Sequence, residues 1–266
     1  VLPHGGEENL AKSDRSEGFR SRLLGGDRLI GAFIKTPTSH ATEILGLVGF
    51  DFVVIDAEHA PFDRLTTDQV LLACRAFDIA GVVRVSEATP AQILSALDCG
   101  AEAVLVPHVD SAAKAAAVVS AGRYRQGARG FSNSPRAGAY GGRTMADHIQ
   151  RSDADVALIP MIEDMAAIDV LDEIMAVDGI DGIFIGRGDL AVAMCAASPN
   201  TDEVSAAVEK ITAAARRAGK PIMVMVGAAA DATRFAAQGA TAFIVSSDQG
   251  LMRQAAAKVL KDFAEL

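Results

Sequence analysis

The chain predicts an α/β fold, a single (β/α)8 TIM barrel, and three observations carry that reading. Eight short apolar runs alternate with helical sequence over 266 residues, the rhythm and length of eight strand–helix units. Several runs carry ionisable residues at or just past their C-terminal ends: Asp56, Glu58 and His59, Arg84, Glu163, and Arg187 with Asp189. In a parallel α/β protein those ends share one face, where active sites form. The alternative, a doubly wound sheet, usually has a Gly-rich phosphate turn after its first strand, and Thr36-Pro37-Thr38-Ser39 is not one.

Leu29–Ile34 reads as the first strand and Ser39–Leu47 as a helix. Phe52–Ile55 is the second strand, with a helix near Thr67–Phe77 after a loop. Gly81–Val85 is the third. Thr89 then supplies an N-cap and Pro90 a first-turn proline for the next helix. Ala103–Val106 is the fourth, and Asp110 is placed to cap the Ala-rich helix that follows. Val156–Ile162 is the fifth, with one helix near Met165–Ile174. Gly182–Ile185 is the sixth, with helical sequence from Leu190 and again from Asp202 to Ala218. Pro221–Val226 and Ala242–Val245 are the seventh and eighth, and a last helix runs from about Gly250 to Ala264. Residues 1–24, with Gly, Ser and many charges, form an N-terminal extension, and residues 25–266 form the barrel domain.

One stretch breaks the rhythm. Gly122–Arg143 is rich in Gly, Ser and Arg, with Arg123, Arg125, Arg129, Arg136 and Arg143 but no Asp or Glu. A loop this long in a compact domain is usually functional or mobile. It reads equally as a solvated basic loop or subunit contact, and as an anion-handling segment. It joins a helix to the next strand, so simple barrel topology puts it on the face opposite the active site.

Half of the chain is hydrophobic, enough for a sizeable core, and the net charge of -9 argues against nucleic acid as the main partner. The longest apolar stretches are too short to span a bilayer. Cys74, Cys99 and Cys195 form no CxxC pair, and the first 24 residues contain no apolar signal-peptide core. The expected setting is therefore the reducing cytoplasm.

Glu163 and Asp189 are the metal candidates. Two carboxylates at adjacent strand ends hold one divalent ion while water and substrate oxygens complete an octahedron, which suits Mg²⁺ or Mn²⁺. The structural alternative for Asp189 is an N-cap before Leu190-Ala191-Val192. Gly186 and Gly188 permit tight backbone approach to a ligand. His59 stands three residues after Asp56 and one after Glu58, and a carboxylate beside an imidazole raises its basicity, as a general base needs. The alternative is a loop histidine held by local hydrogen bonds. His108, after Val106-Pro107, is an outside candidate. Arg84, inside an apolar strand, suits gripping a carboxylate or a developing enolate oxygen, or an internal ion pair with Asp56 or Glu58. Arg187 reads as an anion holder or as a solvated loop residue.

These residues resemble the HpcH/HpaI aldolases, metal-dependent class II pyruvate aldolases. The similarity runs from about Leu29 to the C-terminus. It is carried by Asp56-Ala57-Glu58-His59-Ala60-Pro61, Val83-Arg84-Val85, Leu105-Val106-Pro107, Arg129-Gly130, Met161-Ile162-Glu163 and Ile185-Gly186-Arg187-Gly188-Asp189-Leu190. The resemblance implies a divalent ion (Mg²⁺, Mn²⁺ or Co²⁺) held by Glu163 and Asp189. It implies a His59–Asp56 base dyad, Glu58 ordering water, and Arg84 stabilising a pyruvate enolate, with Arg84, Gly186, Gly188 and Met161 meeting substrate. Substrates would be pyruvate, an aldehyde and 2-oxo acids, without nucleic acid or membrane. It further implies a homo-oligomer, trimer or hexamer, in which the final helix is exchanged between neighbours. Met161 stands where some members have Gln, and Arg187 where many have Pro. The expected activity is cleavage or formation of 4-hydroxy-2-oxo acids. The rivals are oxaloacetate decarboxylation or an enolpyruvate-type condensation in the same site, and a non-catalytic pyruvate- or metal-binding protein. Lys35, at the first strand end, is the lysine placed for a Schiff-base route, which ranks below the metal route.

Overall fold

A computed structural model describes residues 17–264. Eight parallel strands close into one barrel in sequence order: β1 (Leu29–Ile34), β2 (Phe52–Asp56), β3 (Ala80–Arg84), β4 (Ala103–Val106), β5 (Ala157–Ile162), β6 (Ile183–Ile185), β7 (Ile222–Met225) and β8 (Ala240–Ser247). Helices surround it: α1 (Phe19–Gly25), α2 (His40–Val48), α3 (Arg64–Ala76), α4 (Pro90–Asp98), α5 (Ala112–Gly122), α6 (Met145–Asp155), α7 (Met165–Asp169), α8 (Leu171–Met175), α9 (Arg187–Ala193), α10 (Asp202–Arg217), α11 (Ala229–Ala237) and α12 (Asp248–Asp262). The (β/α)8 barrel read from the sequence is therefore the observed fold. Among the described residues no helix is long and apolar enough to cross a membrane.

Period-two alternation sorts the side chains. Ala32 and Ile34 of β1, Val53 and Ile55 of β2, and Val104 and Val106 of β4 face outward into the layer under the helices. Phe33, Phe52, Val54, Val82, Leu105, Ile159, Met161, Phe184 and Ile244 face inward and fill the barrel. Following the inward set upward, the next positions are Lys35, Asp56, Arg84 and Glu163. Packing ends there and the polar layer begins.

Local sequence sets the helix starts. Asp63 and Thr66 form a capping box at α3, and the Thr89 hydroxyl accepts from Gln92 N–H ahead of Pro90 at α4. At α5 the cap is Ser111 rather than Asp110, because Ser111 has the extended backbone and accepts from Lys114 N–H. Asp110 instead pairs with the Lys114 ammonium at 2.6 Å. The segment read as one helix after β5 is two, α7 and α8, because Val170 (φ -125°, ψ 25°) leaves the helical region between them.

Helix α1 crosses the boundary drawn between residues 24 and 25. Phe19 and Leu23 are buried within the inward cluster, and the Phe19 ring lies 5.5 Å from Phe52. The preceding residues, 1–16, lie outside the described residues.

The arginine-rich segment lies at the strand N-termini, as topology requires, and is pinned to its own barrel. Arg123 donates to Asp181 at 2.6 Å and to Val156 O at 2.8 Å, Arg129 to Ser152 Oγ at 2.6 Å, and Arg136 pairs with Asp68 at 2.5 Å. The Arg129 guanidinium also stacks 4.5 Å from the Tyr124 ring. Most of these charges are committed as internal struts.

Helix α12 buries no residue. Val259, Leu260 and Phe263 are 56%, 74% and 62% exposed, and only the helix start, at Leu251, packs on the barrel wall.

Candidate active site

The site is built on the C-terminal rim. Strands β2 and β3 pair in a register that sets Asp56 directly beside Arg84. Both side chains are inward and buried, so each needs the other. Arg84 Nε donates to Asp56 Oδ1 at 3.0 Å and Nη2 to Oδ2 at 2.7 Å, a bidentate pair, while Nη1 lies 3.2 Å from Glu58 Oε2. The Phe33 ring supports the guanidinium at 4.8 Å. Lys35 Nζ makes a further contact with Asp56 Oδ2 at 2.6 Å. Burial pushes the Asp56 carboxyl up, but the hydrogen bonds from Arg84 and Lys35 and the Arg84 charge outweigh it and hold its pKa at about 2.

That arrangement separates two residues the sequence reading joined. Asp56 Oδ1 accepts the main-chain N–H of His59 at 3.1 Å, not its imidazole. The imidazole, 56% exposed, faces Glu58 Oε2 at 3.6 Å. The carboxylate nearest the His59 ring is therefore Glu58, not the Asp56 of the expected dyad.

Glu163 follows β5, two strands beyond β3 around the ring. It is 2% exposed. Its Oε1 accepts the His108 N–H at 2.9 Å, and its Oε2 is buried without a hydrogen-bond partner. Burial pushes its pKa up to about 7, the His108 N–H works against this, and the charges of Asp189 and Glu58 add to it. Asp189 sits in the first turn of α9, whose N-cap is Gly186, so the capping alternative for Asp189 does not hold. Gly186 is needed for space. A Cβ there would lie 2.6 Å from Glu163 Cβ and closer still to Oε2, whereas one at Gly188 would meet nothing within 4 Å. Met161 lies one inward step below Glu163 and is fully buried, forming the floor.

His108 earns more weight here than its sequence gave it. It holds φ +55°, unusual without glycine, which turns its N–H onto Glu163. Its ring lies 3.1 Å from Asp164 and 4.0 Å from Glu58. Burial lowers its pKa, but the hydrogen bond its ring donates to Asp164 and the surrounding carboxylates raise it on balance. Arg187 is directed away from the pocket. It donates to Pro199 O at 3.0 Å and to Asn200 Oδ1, and stacks on Phe235 at 4.9 Å.

The donor set fits a divalent ion. Glu163 offers an unpartnered, buried oxygen, and Asp189 and Glu58 are close enough for their charges to raise its pKa. Among the described residues no group of three or more His, Cys, Asp or Glu is arranged to hold a metal by itself. A site resting on two carboxylates leaves the remaining positions to water and substrate.

A family model described as HpcH/HpaI aldolase/citrate lyase matches residues 29–255. The chain is 37% identical over 247 residues to a 5-keto-4-deoxy-D-glucarate aldolase of Klebsiella pneumoniae subsp. pneumoniae, covering 92% of this chain and 96% of the relative. Its fold is similar to that of an HpcH/HpaI aldolase/citrate lyase family protein from Burkholderia cenocepacia J2315 (TM-score 0.87, 30% identity, 91% and 97% of the two chains). It is also similar to the citrate synthase SbnG (TM-score 0.85, 28% identity, 93% and 98%).

Proposed function

Because the chain belongs to the HpcH/HpaI aldolase/citrate lyase family and is a carbon–carbon lyase, we propose that it is a class II aldolase of 4-hydroxy-2-oxo acids, with pyruvate as the nucleophilic half and a divalent ion as cofactor. The observation that carries this reading is the opposition of two charge systems across one pocket: the Arg84–Asp56–Lys35 cluster on one wall and Glu163 with Asp189 on the other.

Glu163 and Asp189 would hold Mg²⁺, Mn²⁺ or Co²⁺. When bound, the ion supplies Lewis-acid stabilisation of negative charge on the 2-oxo group. The chain's own residues do the rest. Arg84 spends three of its five N–H groups on Asp56 and Glu58, which fixes its plane. The remaining two can take the substrate oxygen on which enolate charge develops. His59, with Glu58 beside its ring, is the proposed base. In the synthetic direction it removes a proton from the pyruvate methyl carbon, and the enolate carbon attacks the aldehyde. In cleavage it takes the proton of the C4 hydroxyl, the C3–C4 bond breaks, and the electron pair becomes the enolate. Met161 and the apolar layer beneath keep the floor dry.

Oxaloacetate decarboxylation uses the same enolate, and the citrate synthase SbnG shows that a similar fold carries a condensing activity in another protein. A substrate panel separates these readings: pyruvate with several aldehydes, oxaloacetate alone, and enolpyruvate donors with larger acceptors. Aldol addition with the highest kcat/KM supports the proposal, and a condensation or decarboxylation with no aldol product refutes it. The uncovered apolar stripe of α12 supports the accompanying proposal that copies exchange this helix in a trimer or hexamer.

A further inference from the structure

The two carboxylates proposed to hold the ion are placed by different means. Glu163 directly follows the six-residue strand β5, is buried, and has its Oε1 fixed by the His108 N–H at 2.9 Å. Asp189 is exposed, and its carboxylate makes no hydrogen bond or ion pair among the described residues. Its place is therefore set by the backbone of α9 alone. That backbone has little local support. Strand β6 is three residues long, α9 is seven, and the N-cap, Gly186, offers no side chain to the free N–H groups of the first turn.

The side chain that ties this turn down is Arg187, the first residue of α9. Its Nη2 donates to Pro199 O at 3.0 Å and to Asn200 Oδ1, both in the loop that leads into α10. Its guanidinium lies 4.9 Å from the ring of Phe235 on α11. One side chain thus braces the start of α9 against two other parts of the barrel. Arg187 is half-buried, yet it forms no ion pair with a carboxylate among the described residues. A cation drawn out of water onto neutral oxygens contributes little to stability, so the fold alone gives no reason for it. Arg234 stacks on the same ring at 4.7 Å, but its hydrogen bond is to Asp231 of its own helix, at 3.5 Å. The two arginines share Phe235 and differ in what else they hold.

We propose that Arg187 is a positioning residue: by bracing the first turn of α9, it holds the Asp189 carboxylate where it can share one divalent ion with Glu163. The assignment rests on the reading of Glu163 and Asp189 as the ligand pair. It gives Arg187, which points away from the pocket, a part in metal binding that neither an anion holder nor a solvated loop residue would have.

The test is a titration of the full chain, stripped of metal, with Mn²⁺. The electron paramagnetic resonance signal of the free ion reads the affinity without catalysis. Arg187→Met keeps an apolar stem on Phe235 and removes the donors. It should weaken Mn²⁺ binding by about tenfold or more, the scale on which residues behind metal ligands act. Arg234→Met takes the other cation from the same ring and should leave the affinity at its wild-type value. Asn200→Ala, at an exposed position, removes one acceptor and should weaken binding in the same direction by less. It decides the matter if Arg187→Met does not fold. Wild-type affinity in folded Arg187→Met, or in Asn200→Ala where Arg187→Met is unfolded, overturns the assignment. So does an equal loss in Arg234→Met, which would make the effect one of general packing. Asp189→Ala separates this failure from that of the ligand pair. If Asp189→Ala binds Mn²⁺ like the wild type, the pair falls and takes this role with it. If Asp189→Ala binds weakly while Arg187→Met binds like the wild type, only the role of Arg187 falls.

Discussion

Gly186→Ala should damage the metal site while leaving the barrel folded, and Gly188→Ala should leave both site and barrel intact. Gly186 has φ -84°, which alanine tolerates, so the effect is steric. The added methyl would lie 2.6 Å from Glu163 Cβ, and ordinary contact begins at 3.4 Å, so Glu163 must retreat by about 0.8 Å. Ligating groups need placement within about 0.5 Å. Overpacking of this kind costs roughly 1–3 kcal/mol. If the strain falls on Glu163, Mn²⁺ affinity drops by about 5- to 150-fold. Titration calorimetry with Mn²⁺ on both variants, beside thermal melts, measures this. Wild-type Mn²⁺ affinity in a folded Gly186→Ala protein, or equal losses in both glycine variants, would refute Glu163 as a ligand.

Three other outcomes are expected. Arg84→Lys keeps the charge but loses the bidentate fork on Asp56, so kcat/KM for aldol cleavage should fall on the order of 10²-fold or more, with pyruvate proton exchange falling in parallel; unchanged exchange removes Arg84 from enolate stabilisation. Asp56 has its carboxyl lowered from 3.8 to about 2 on folding, so its contribution is complete above about pH 4 and is lost as pH falls through 2. That contribution is about 2 kcal/mol, and the stability gap between wild type and Asp56→Asn, followed by urea denaturation, should narrow over that window; a gap independent of pH contradicts it. Light scattering should report a trimer or hexamer, and truncation after Asp248, which removes the exposed Val259, Leu260 and Phe263 but keeps the carboxylate that fixes the β1 turn, should give aggregates. A soluble, active monomer refutes helix exchange.

The strands were legible because each is an apolar run, and the limits of that signal explain the misses. Strand β8 extends to Ala240 and Ser247 because ladder pairing continues past its apolar centre. Helices α1 and α6 escaped notice because they are largely polar: α1 buries only Phe19 and Leu23, and α6 only His148 and Ser152. At the site, the residues at strand ends announced themselves, but their pairing did not. Asp56 serves Arg84 rather than the His59 ring because of the β2–β3 register, which no local spacing encodes. The inward placement of Lys35 beside Asp56 was available in principle from the alternation of Leu29, Gly31, Phe33 and Lys35, all on one face of the strand. The φ of His108 and the outward turn of Arg187 depend on contacts with Glu163 and Phe235, distant in sequence.

If pyruvate is enolised in this pocket with help from a divalent ion held by Glu163 and Asp189, enolisation must depend on that ion. Exchange of pyruvate methyl protons in D₂O, followed by NMR before chelation, after rigorous chelation and after metal is restored, tests it most directly. Exchange should stop on chelation and return with Mg²⁺, Mn²⁺ or Co²⁺. Full exchange by the chelated protein, with borohydride trapping pyruvate on Lys35, would contradict it.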